Sequence, residues 1–292
     1  MIFPPALSAG AAVRVIAPAS PFQATLLWRA LGWLSERYDV RYERRIFERY
    51  GYLAGSDEER LGEVRAALEE PDVAAILCAR GGYGVMRLLD EIDWSRLVEA
   101  PRWIVGFSDI TALHVEAWRH GVASLHACNV TALGRSDAHT RQRLIDQLES
   151  PCRPRAWTGL QTLREGSVQG PLVGGNLTLL QACAAAGRLT FPKGAVLVLE
   201  DVTERPYRLD RCLTSLLSGG YFDDLAGIVL GEFLDCNPGP DGVTTDAMVR
   251  ERLRPLGIPI VAGAPVGHGR TNEPFVCGAK VALDAGEGSV RF

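Results

Sequence analysis

The sequence has few features that would tie it to nucleic acid or to a membrane. Its 31 Lys and Arg residues are outnumbered by 35 Asp and Glu, which gives a formal net charge of -4 at pH 7. No basic cluster is dense enough to follow a phosphate backbone or an anionic lipid surface. No apolar run approaches the roughly 20 residues that span a bilayer, and the N-terminus lacks a secretory signal. We therefore expect a cytoplasmic protein that binds neither nucleic acid nor membranes.

Patterns that build disulfides, metal sites or nucleotide sites are missing too. The 7 cysteines are odd in number and widely spaced, with no C-x-x-C pair and no histidine at zinc-ligand spacing. The phosphate-binding motifs G-x-x-x-x-G-K-[ST] and G-x-G-x-x-G are also absent. The sequence thus predicts reduced cysteines, no metal and no cofactor.

The chain instead alternates short apolar stretches with amphipathic ones. "VRVIAPAS", "VAAILCA" and "WIVGFS" are typical of buried strands, whereas "ATLLWRALGWLSERY" and the Ser-capped "SDEERLGEVRAALEE" have helical spacing. Such alternation favours a parallel sheet with helices on both faces. We predict a doubly wound α/β domain over residues 1–135.

A second domain is predicted for residues 169–292. Its pattern is α/β, with apolar strands such as "GAVLVLEDV" and "LAGIVLGEF" and a closing hairpin in "GAKVALDAGEGSVRF". Residues 136–168 lose clear periodicity and contain the Pro- and Arg-rich "SPCRPRAWTG", which indicates a linker or covering segment. The length of 292 residues agrees with about two domains.

Three loops follow predicted strands of the first domain, and one contains a serine at a strand-to-helix turn. They are "APAS" at 17–20, "ARGGYG" at 79–84 and "GFSD" at 106–109. In parallel sheets such loops gather at the carboxyl edge, where ligands bind. Ser108 could be a helix cap, or a nucleophile exposed at the turn above the positive end of a helix.

Two further residues supply the groups that a serine nucleophile needs. His268 lies between two glycines directly after a strand, and Glu200 ends the apolar stretch "AVLVLE". Each has a simpler interpretation, as a surface-loop histidine and as a solvated or Arg-paired acid. Together with Ser108 they could form a triad in which imidazole removes the hydroxyl proton and the carboxylate orients the imidazole. "GFSDI" lacks the second glycine of G-x-S-x-G, so an α/β-hydrolase fold is not expected.

Five ordered blocks resemble the LD-carboxypeptidase family of serine peptidases, family S66. They are "RGGYG" at 80–84, "GFSDIT" at 106–111, "GGNL" at 174–177, "LED" with "ERPYRLDR" within 199–211, and "GHG" with "NEPFVCG" within 267–278. The resemblance runs through nearly the whole chain. By this resemblance Ser108 matches the family nucleophile, Glu200 the triad acid and His268 the triad base.

The resemblance also implies a fold, a reaction and an assembly. Family members have a flavodoxin-like N-terminal domain and a smaller β-rich C-terminal domain, usually as a homodimer. They release a terminal D-alanine from murein tetrapeptides during cytoplasmic cell-wall recycling. This sequence departs from the family pattern at Phe107, where Tyr is frequent, and at "LHACNV", which lacks the usual Gly-Pro after His126.

The expected mechanism needs an oxyanion site and a partner for the substrate carboxylate. Backbone N–H groups near Gly82 and Asp109 are predicted to hold the oxyanion. Arg80 is predicted to pair with the carboxylate, although an arginine beside a glycine turn can equally bond to backbone. Since Ser108 and the other triad residues belong to different predicted domains, the active site is expected in the cleft between them, bordered by 131–170.

Two other functions fit the same sequence. A sister branch of the family hydrolyses an aminoacyl-nucleotide amide and confers immunity to a microcin, for which Trp157 is the aromatic candidate in the linker. Alternatively, the scaffold could be a non-enzymatic module that binds a small ligand through "ARGGYG".

Overall fold

The computed structural model describes residues 1–292, which divide into two compact units. The first comprises 1–151 and 273–276, and the second comprises 152–272 and 277–292. None of the helices has the length and apolar character needed to cross a membrane.

Both units mix helices and strands. The strands of the first unit are β1 (Ala12–Ile16), β2 (Asp39–Arg41), β3 (Val73–Cys78), β4 (Trp103–Gly106) and β5 (Ser124–His126). Its helices are α1 (Ala24–Ser35), α2 (Asp57–Glu69), α3 (Ser95–Glu99), α4 (Thr111–Arg119), α5 (Val130–Leu133) and α6 (Ala138–Glu149). The remaining strands are β6 (Ala156–Trp157), β7 (Gln161–Arg164), β8 (Ser167–Asn176), β9 (Val196–Val202), β10 (Gly227–Leu234), β11 (Ile260–Ala262), β12 (Phe275–Cys277), β13 (Lys280–Asp284) and β14 (Ser289–Arg291). The remaining helices are α7 (Leu177–Ala185), α8 (Pro206–Ser218) and α9 (Thr245–Leu253).

The sheet of the first unit has the order β12-β5-β4-β3-β1-β2. Strands β1 to β5 pair in parallel throughout. Five of the six residues of β3 are buried, as expected for a strand covered on both faces. This arrangement confirms the parallel α/β sheet predicted for the first half of the chain.

The second unit is built on an eight-stranded mixed sheet of order β6-β14-β13-β8-β9-β10-β11-β7. Its centre, β8 to β11, is parallel, and antiparallel strands flank it on both sides. The last two strands form the predicted hairpin, with Leu283 opposite Val290. The mixed α/β fold with a strand-rich second half is therefore confirmed.

Residues 136–168, predicted as a linker, contain regular structure. Helix α6 begins after Asp137, whose carboxylate accepts the Thr140 N–H at 2.8 Å, and β6 and β7 follow it. Only Leu144, Gln147 and Leu148 of α6 are buried, so the apolar spacing is too sparse to be recognised from sequence.

Candidate active site

Ser108 occupies the turn between β4 and α4 in a backbone conformation that is unusual for a serine. Its φ is +67°, in the left-handed region, and a short 3-10 turn over Ser108–Ile110 leads into the helix. A non-glycine residue there is strained by roughly 1–2 kcal/mol, because its Cβ crowds the backbone. The side chain is only partly buried. A strained serine at a strand-to-helix turn has the local geometry of a nucleophile elbow.

The capping interpretation of Ser108 is wrong. Neither the 3-10 turn nor α4 has a side-chain cap. Ser56 shows what a capping serine looks like in this chain: its hydroxyl accepts the Glu59 N–H at 3.2 Å, and Glu59 Oε2 accepts the Ser56 N–H at 2.7 Å. The hydroxyl of Ser108 has no such role at the start of its helix.

The glycine loop 79–84 lies directly against Ser108. A Cβ on Gly81 would stand 2.8 Å from Ser108 Cβ and 3.0 Å from its Oγ, so only glycine fits there. Gly82 has a φ of +106°, and a Cβ on it would lie 2.5 Å from Ser20 Oγ. Ser20 Oγ in turn accepts the Tyr83 N–H at 3.1 Å. The loops at 17–20, 79–84 and 106–109 thus meet at the carboxyl edge of the sheet, as the sequence predicts.

Gly81→Ala is expected to lower kcat/KM by about 100-fold, because the new methyl group must displace Ser108 or the loop by a fraction of an ångström. Overpacking should also destabilise the fold by about 1–3 kcal/mol. Activity assays and urea denaturation measure the two effects. Gly32→Ala is the matched control: it lies in α1 with open space around it, so it should keep full activity and gain up to about 1 kcal/mol. Full activity of Gly81→Ala would contradict the contact.

The side chain of Asp109 turns into the protein rather than toward a ligand. It is 1% exposed, and its Oδ2 accepts the Val85 N–H at 2.9 Å. Burial raises its pKa to about 6, partly opposed by the Val85 hydrogen bond and by the charge of Arg60. The carboxyl group therefore ties the end of the glycine loop to the turn that carries Ser108. Sequence analysis assigned a role only to the backbone N–H of this residue.

Arg60 is a second buried group that supports these loops and that sequence analysis missed. It is fully buried and donates to the carbonyl of Gly84 at 2.9 Å, to that of Pro18, and to the Asp57 carboxylate. Burial lowers its pKa, opposed mainly by Asp57. Its position within a helix after a capping serine resembles that of any surface arginine, so no sequence signal marks it.

Asp109→Asn is expected to flatten the pH dependence of stability between pH 4 and 6. In the native protein the pKa of Asp109 rises from its ordinary 3.8 to about 6. The native state thus binds a proton more strongly than the unfolded chain, and the free energy of unfolding falls by about 3 kcal/mol as pH rises through this window. Asparagine keeps an acceptor for Val85 and stays neutral. Thermal melts from pH 4 to 7.5 test this, with the exposed Asp72→Asn as control; a variant slope equal to wild type would contradict it.

Arg80 is exposed and donates to the carbonyl of Pro21. The structure therefore contains the backbone contact that sequence analysis named as the alternative. The contact uses one of five N–H groups, so pairing with a substrate carboxylate stays a prediction.

Within the second unit, His268 and Glu200 form a hydrogen-bonded pair. His268 Nδ1 lies 2.7 Å from Glu200 Oε2, and the two side chains are 16% and 0% exposed. Glu200 lies in β9, one of the central strands of the sheet. The acid that bonds to Nδ1 is thus Glu200 and not Asp201, the next residue in the strand.

The environment of the pair sets the pKa of the histidine. Burial lowers the pKa of His268, whereas the hydrogen bond and the charge of Glu200 raise it, with smaller contributions from Asp201 and Glu232. The net effect is a pKa above the ordinary value of histidine. Burial raises the pKa of Glu200, which the contact with His268 partly offsets. A hydrogen bond from Nδ1–H to the carboxylate leaves Nε2 of the neutral ring as the basic nitrogen.

Two residues to which sequence analysis assigned no role hold backbone segments in place: Asn272 in the loop that carries His268, and Asp201 at the start of α7. Asn272 Oδ1 accepts the Gly267 N–H at 3.2 Å, and Gly267 has a φ of +144°. Asp201 accepts the backbone N–H of Thr178 at 2.9 Å and its hydroxyl at 2.8 Å, which anchors the start of α7. The blocks "NEPFVCG" and "LED" contained both residues, but the sequence gives no sign of what their side chains contact.

Trp157 does not provide an accessible aromatic surface. It is 4% exposed and packs edge-to-face on Phe292, with ring centroids 4.8 Å apart. The prediction that Trp157 offers a surface for an adenylate is therefore wrong, because the ring is buried in the core beside β14. A tryptophan in a Pro- and Arg-rich stretch gives no sequence signal for burial.

Two other histidines have structural positions in the first unit. His114 is fully buried between Ser124 Oγ and the Gly106 carbonyl, both at 2.9 Å, and burial lowers its pKa to about 4. His126 is also buried, with its ring stacked on Phe275 at 4.5 Å. Neither ring is accessible to a substrate.

Comparison with known proteins identifies the family of this chain. The LD-carboxypeptidase N-terminal domain model matches residues 13–127, and the LD-carboxypeptidase C-terminal domain model matches residues 169–283. The murein tetrapeptide carboxypeptidase of Pseudomonas aeruginosa is 37% identical over 286 residues, which cover 93% of this chain and 92% of that protein. The chain belongs to the LD-carboxypeptidase family.

Solved structures share the fold. The muramoyltetrapeptide carboxypeptidase of Oxalobacter formigenes superimposes with a TM-score of 0.86 at 29% identity, covering 96% of this chain and 97% of that one. The microcin C7 self-immunity protein MccF, in complex with aspartyl sulfamoyl adenosine, has a TM-score of 0.90, with 100% and 98% coverage. At 18% identity the second likeness shows the fold alone.

Proposed function

We propose that this protein is a serine LD-carboxypeptidase that hydrolyses the amide bond before the terminal D-alanine of murein tetrapeptides. The observation that carries the proposal is the strained turn at Ser108, in a chain that also contains a buried Glu200–His268 pair. Relatives named as murein carboxypeptidases support the substrate class.

In the proposed mechanism, Ser108, Glu200 and His268 act as a triad. Nε2 of neutral His268 removes the Ser108 proton while Oγ attacks the scissile carbonyl. The resulting imidazolium is stabilised by Glu200, and then donates its proton to the leaving amine of D-alanine. Water activated by the same ring hydrolyses the acyl-enzyme and frees Ser108.

The oxyanion of the tetrahedral intermediate needs donors beside Ser108. Backbone N–H groups at Gly82 and Asp109 are the proposed donors, and a donor of this kind contributes about 3–4 kcal/mol. The buried carboxyl of Asp109 and the guanidinium of Arg60 would hold them in place through the loop contacts described above. Arg80 is the proposed partner of the substrate carboxylate.

A coupled assay for released D-alanine tests the proposal directly. The protein should turn over a murein tetrapeptide and not the tripeptide product. An aminoacyl sulfamoyl adenosine offered side by side tests the immunity-type activity, for which the burial of Trp157 removes the one aromatic candidate. A fluorophosphonate that fails to label Ser108, together with no turnover, would favour the non-enzymatic binding module.

Glu200→Gln should lower kcat by about 10³-fold, less than removal of the nucleophile, because part of the orienting hydrogen bond survives. Activity requires neutral His268, so the acidic limb of the pH profile follows its pKa. Loss of the carboxylate removes the largest contribution that raises the pKa of His268, so the limb should move to lower pH. Rates measured from pH 5 to 9 test this, with exposed Glu165→Gln as control. An unshifted limb would show that another acid orients the ring.

Two features of the proposal come from the family resemblance alone. We expect a homodimer and a cytoplasmic location, in keeping with recycling of cell-wall peptides. Sedimentation equilibrium and cell fractionation test these expectations.

A further inference from the structure

The segment that follows β5 departs from the family pattern, and it contains a buried asparagine outside the proposed triad. Strands β4 and β5 pair as far as Gly106 and His126, and the Ala127 N–H donates to the Gly106 carbonyl at 3.0 Å. Asn129 then stands in the N-cap position of α5, but its side chain caps no backbone N–H there. The residue is only 4% exposed. Because a buried amide needs hydrogen-bond partners, its side chain must find them elsewhere.

The side chain of Asn129 pairs with the backbone of Phe107, the residue before the candidate nucleophile. Its Oδ1 accepts the Phe107 N–H at 3.1 Å, and its Nδ2 donates to the Phe107 carbonyl at 3.4 Å. An asparagine amide has the same acceptor and donor groups as a peptide unit, so it can pair with a residue as a neighbouring strand would. The side chain therefore extends the pairing of β4 by one residue, up to the point where the chain turns at Ser108.

The space for this amide exists because residue 106 is a glycine. A Cβ on Gly106 would lie 2.8 Å from Asn129 Oδ1 and 2.9 Å from the Ile110 side chain. The Phe107 carbonyl also accepts the Ile110 N–H at 3.4 Å, and it would lie 3.1 Å from a Cβ on Gly81. The carbonyl that the amide holds is thus in contact with both the 3-10 turn and the glycine loop.

The same segment also holds the start of the glycine loop. The Thr131 N–H donates to the Ala79 carbonyl at 3.0 Å, and the Thr131 hydroxyl donates to the same oxygen at 2.8 Å. Asn129 and Thr131 are two positions apart at the start of α5, and each bonds to one of the two loops. They therefore fix the turn at Ser108 and the loop 79–84 relative to each other.

We propose that Asn129 is a positioning residue that keeps Ser108 in its left-handed conformation, with Oγ directed for attack on the scissile carbonyl. The attack rests on the proposed function, whereas the conformation does not. A φ of +67° is unfavourable for serine, so contacts around the residue must hold it there. On the N-terminal side, the amide of Asn129 binds both polar backbone groups of Phe107. The amide is too deeply buried to contact substrate, so it acts only through this backbone.

Asn129→Asp keeps the acceptor for the Phe107 N–H but places an oxygen against the Phe107 carbonyl in place of the donor. We expect kcat for the murein tetrapeptide to fall by about 10- to 100-fold, because a displaced Oγ slows the attack. KM should stay within about twofold, since Asn129 does not contact substrate. Gln147→Glu is the matched control. Gln147 is 5% exposed and donates from Nε2 to the Pro151 carbonyl at 2.8 Å, so the control loses the same kind of bond in α6 and should keep the wild-type kcat.

Melting temperatures test the conformation without any assay of activity. With Asn129 in place, Ser108→Gly should melt about 2–4 °C above Ser108→Ala, because glycine adopts the left-handed conformation without strain. Asn129→Ala removes both hydrogen bonds to Phe107, so the turn can relax. In that background the difference between the two Ser108 variants should shrink to about zero or reverse. Gln147→Ala should leave the difference unchanged.

The two measurements separate this inference from the proposed function. A lower kcat in Asn129→Asp, together with a smaller melting difference in the Asn129→Ala background, supports the positioning role. A melting difference that Asn129→Ala leaves unchanged overturns it, because other contacts would then hold the turn. An unchanged kcat in Asn129→Asp, or an equal loss in Gln147→Glu, also overturns it and leaves the peptidase in place. If the wild-type protein releases no D-alanine, the proposed function fails, but a melting difference that shrinks still supports the hold of Asn129 on Ser108.

Discussion

Ser108→Ala is expected to lower D-alanine release by about 10⁴-fold or more while the protein stays folded. The substitution removes only the hydroxyl, which caps no helix in this structure, so the loss of activity has no structural cause. Removing the nucleophile of a triad leaves only the catalysis that binding and the oxyanion donors supply. The coupled D-alanine assay measures the rate, and thermal melting measures the fold.

Ser108→Gly provides a second test of the same turn. It lacks the nucleophile too, but glycine adopts a φ of +67° without strain, so it should be about 1 kcal/mol more stable than Ser108→Ala. Ser35→Ala, at the exposed end of α1, is the control for loss of a hydroxyl and should retain full activity. Appreciable turnover by both Ser108 variants would eliminate the serine mechanism.

His268→Gln should also lower kcat by about 10⁴-fold or more, because no other group is proposed to take the Ser108 proton. The decisive measurement is the double variant Ser108→Ala/His268→Gln. Residues that act as one unit lose their contribution once, so the double variant should be no slower than the slower single variant. His139→Gln, an exposed histidine of α6, is the matched control.

Multiplied losses in the double variant would mean that the two residues act independently, and the proposed triad would be wrong. The result matters because the two side chains are separated by 160 positions and belong to different units. Only kinetic coupling tests their joint action in solution.

Sequence alone predicted the alternating strands and helices of the first unit and named the residues of the candidate site. Buried parallel strands such as β3 have an unbroken apolar pattern, because both faces of the sheet are covered. The capping box at Ser56 can be predicted because it involves residues only three positions apart. Helix α6 was not predicted, because its few buried residues give only a weak helical periodicity of apolar residues. Ser108, Glu200 and His268 could be proposed as a triad from the sequence because the five blocks specify residue type and order.

What the sequence by itself determined was the set of groups available and the short-range structure that presents them. Tertiary structure alone decided which of the groups face inward. Asp109 and Arg60 became buried supports of the glycine loop, Trp157 became core, and Arg80 bonded to backbone. The direction of a side chain, and the desolvation that shifts its pKa, depend on atoms contributed by segments distant in sequence, which no local pattern contains.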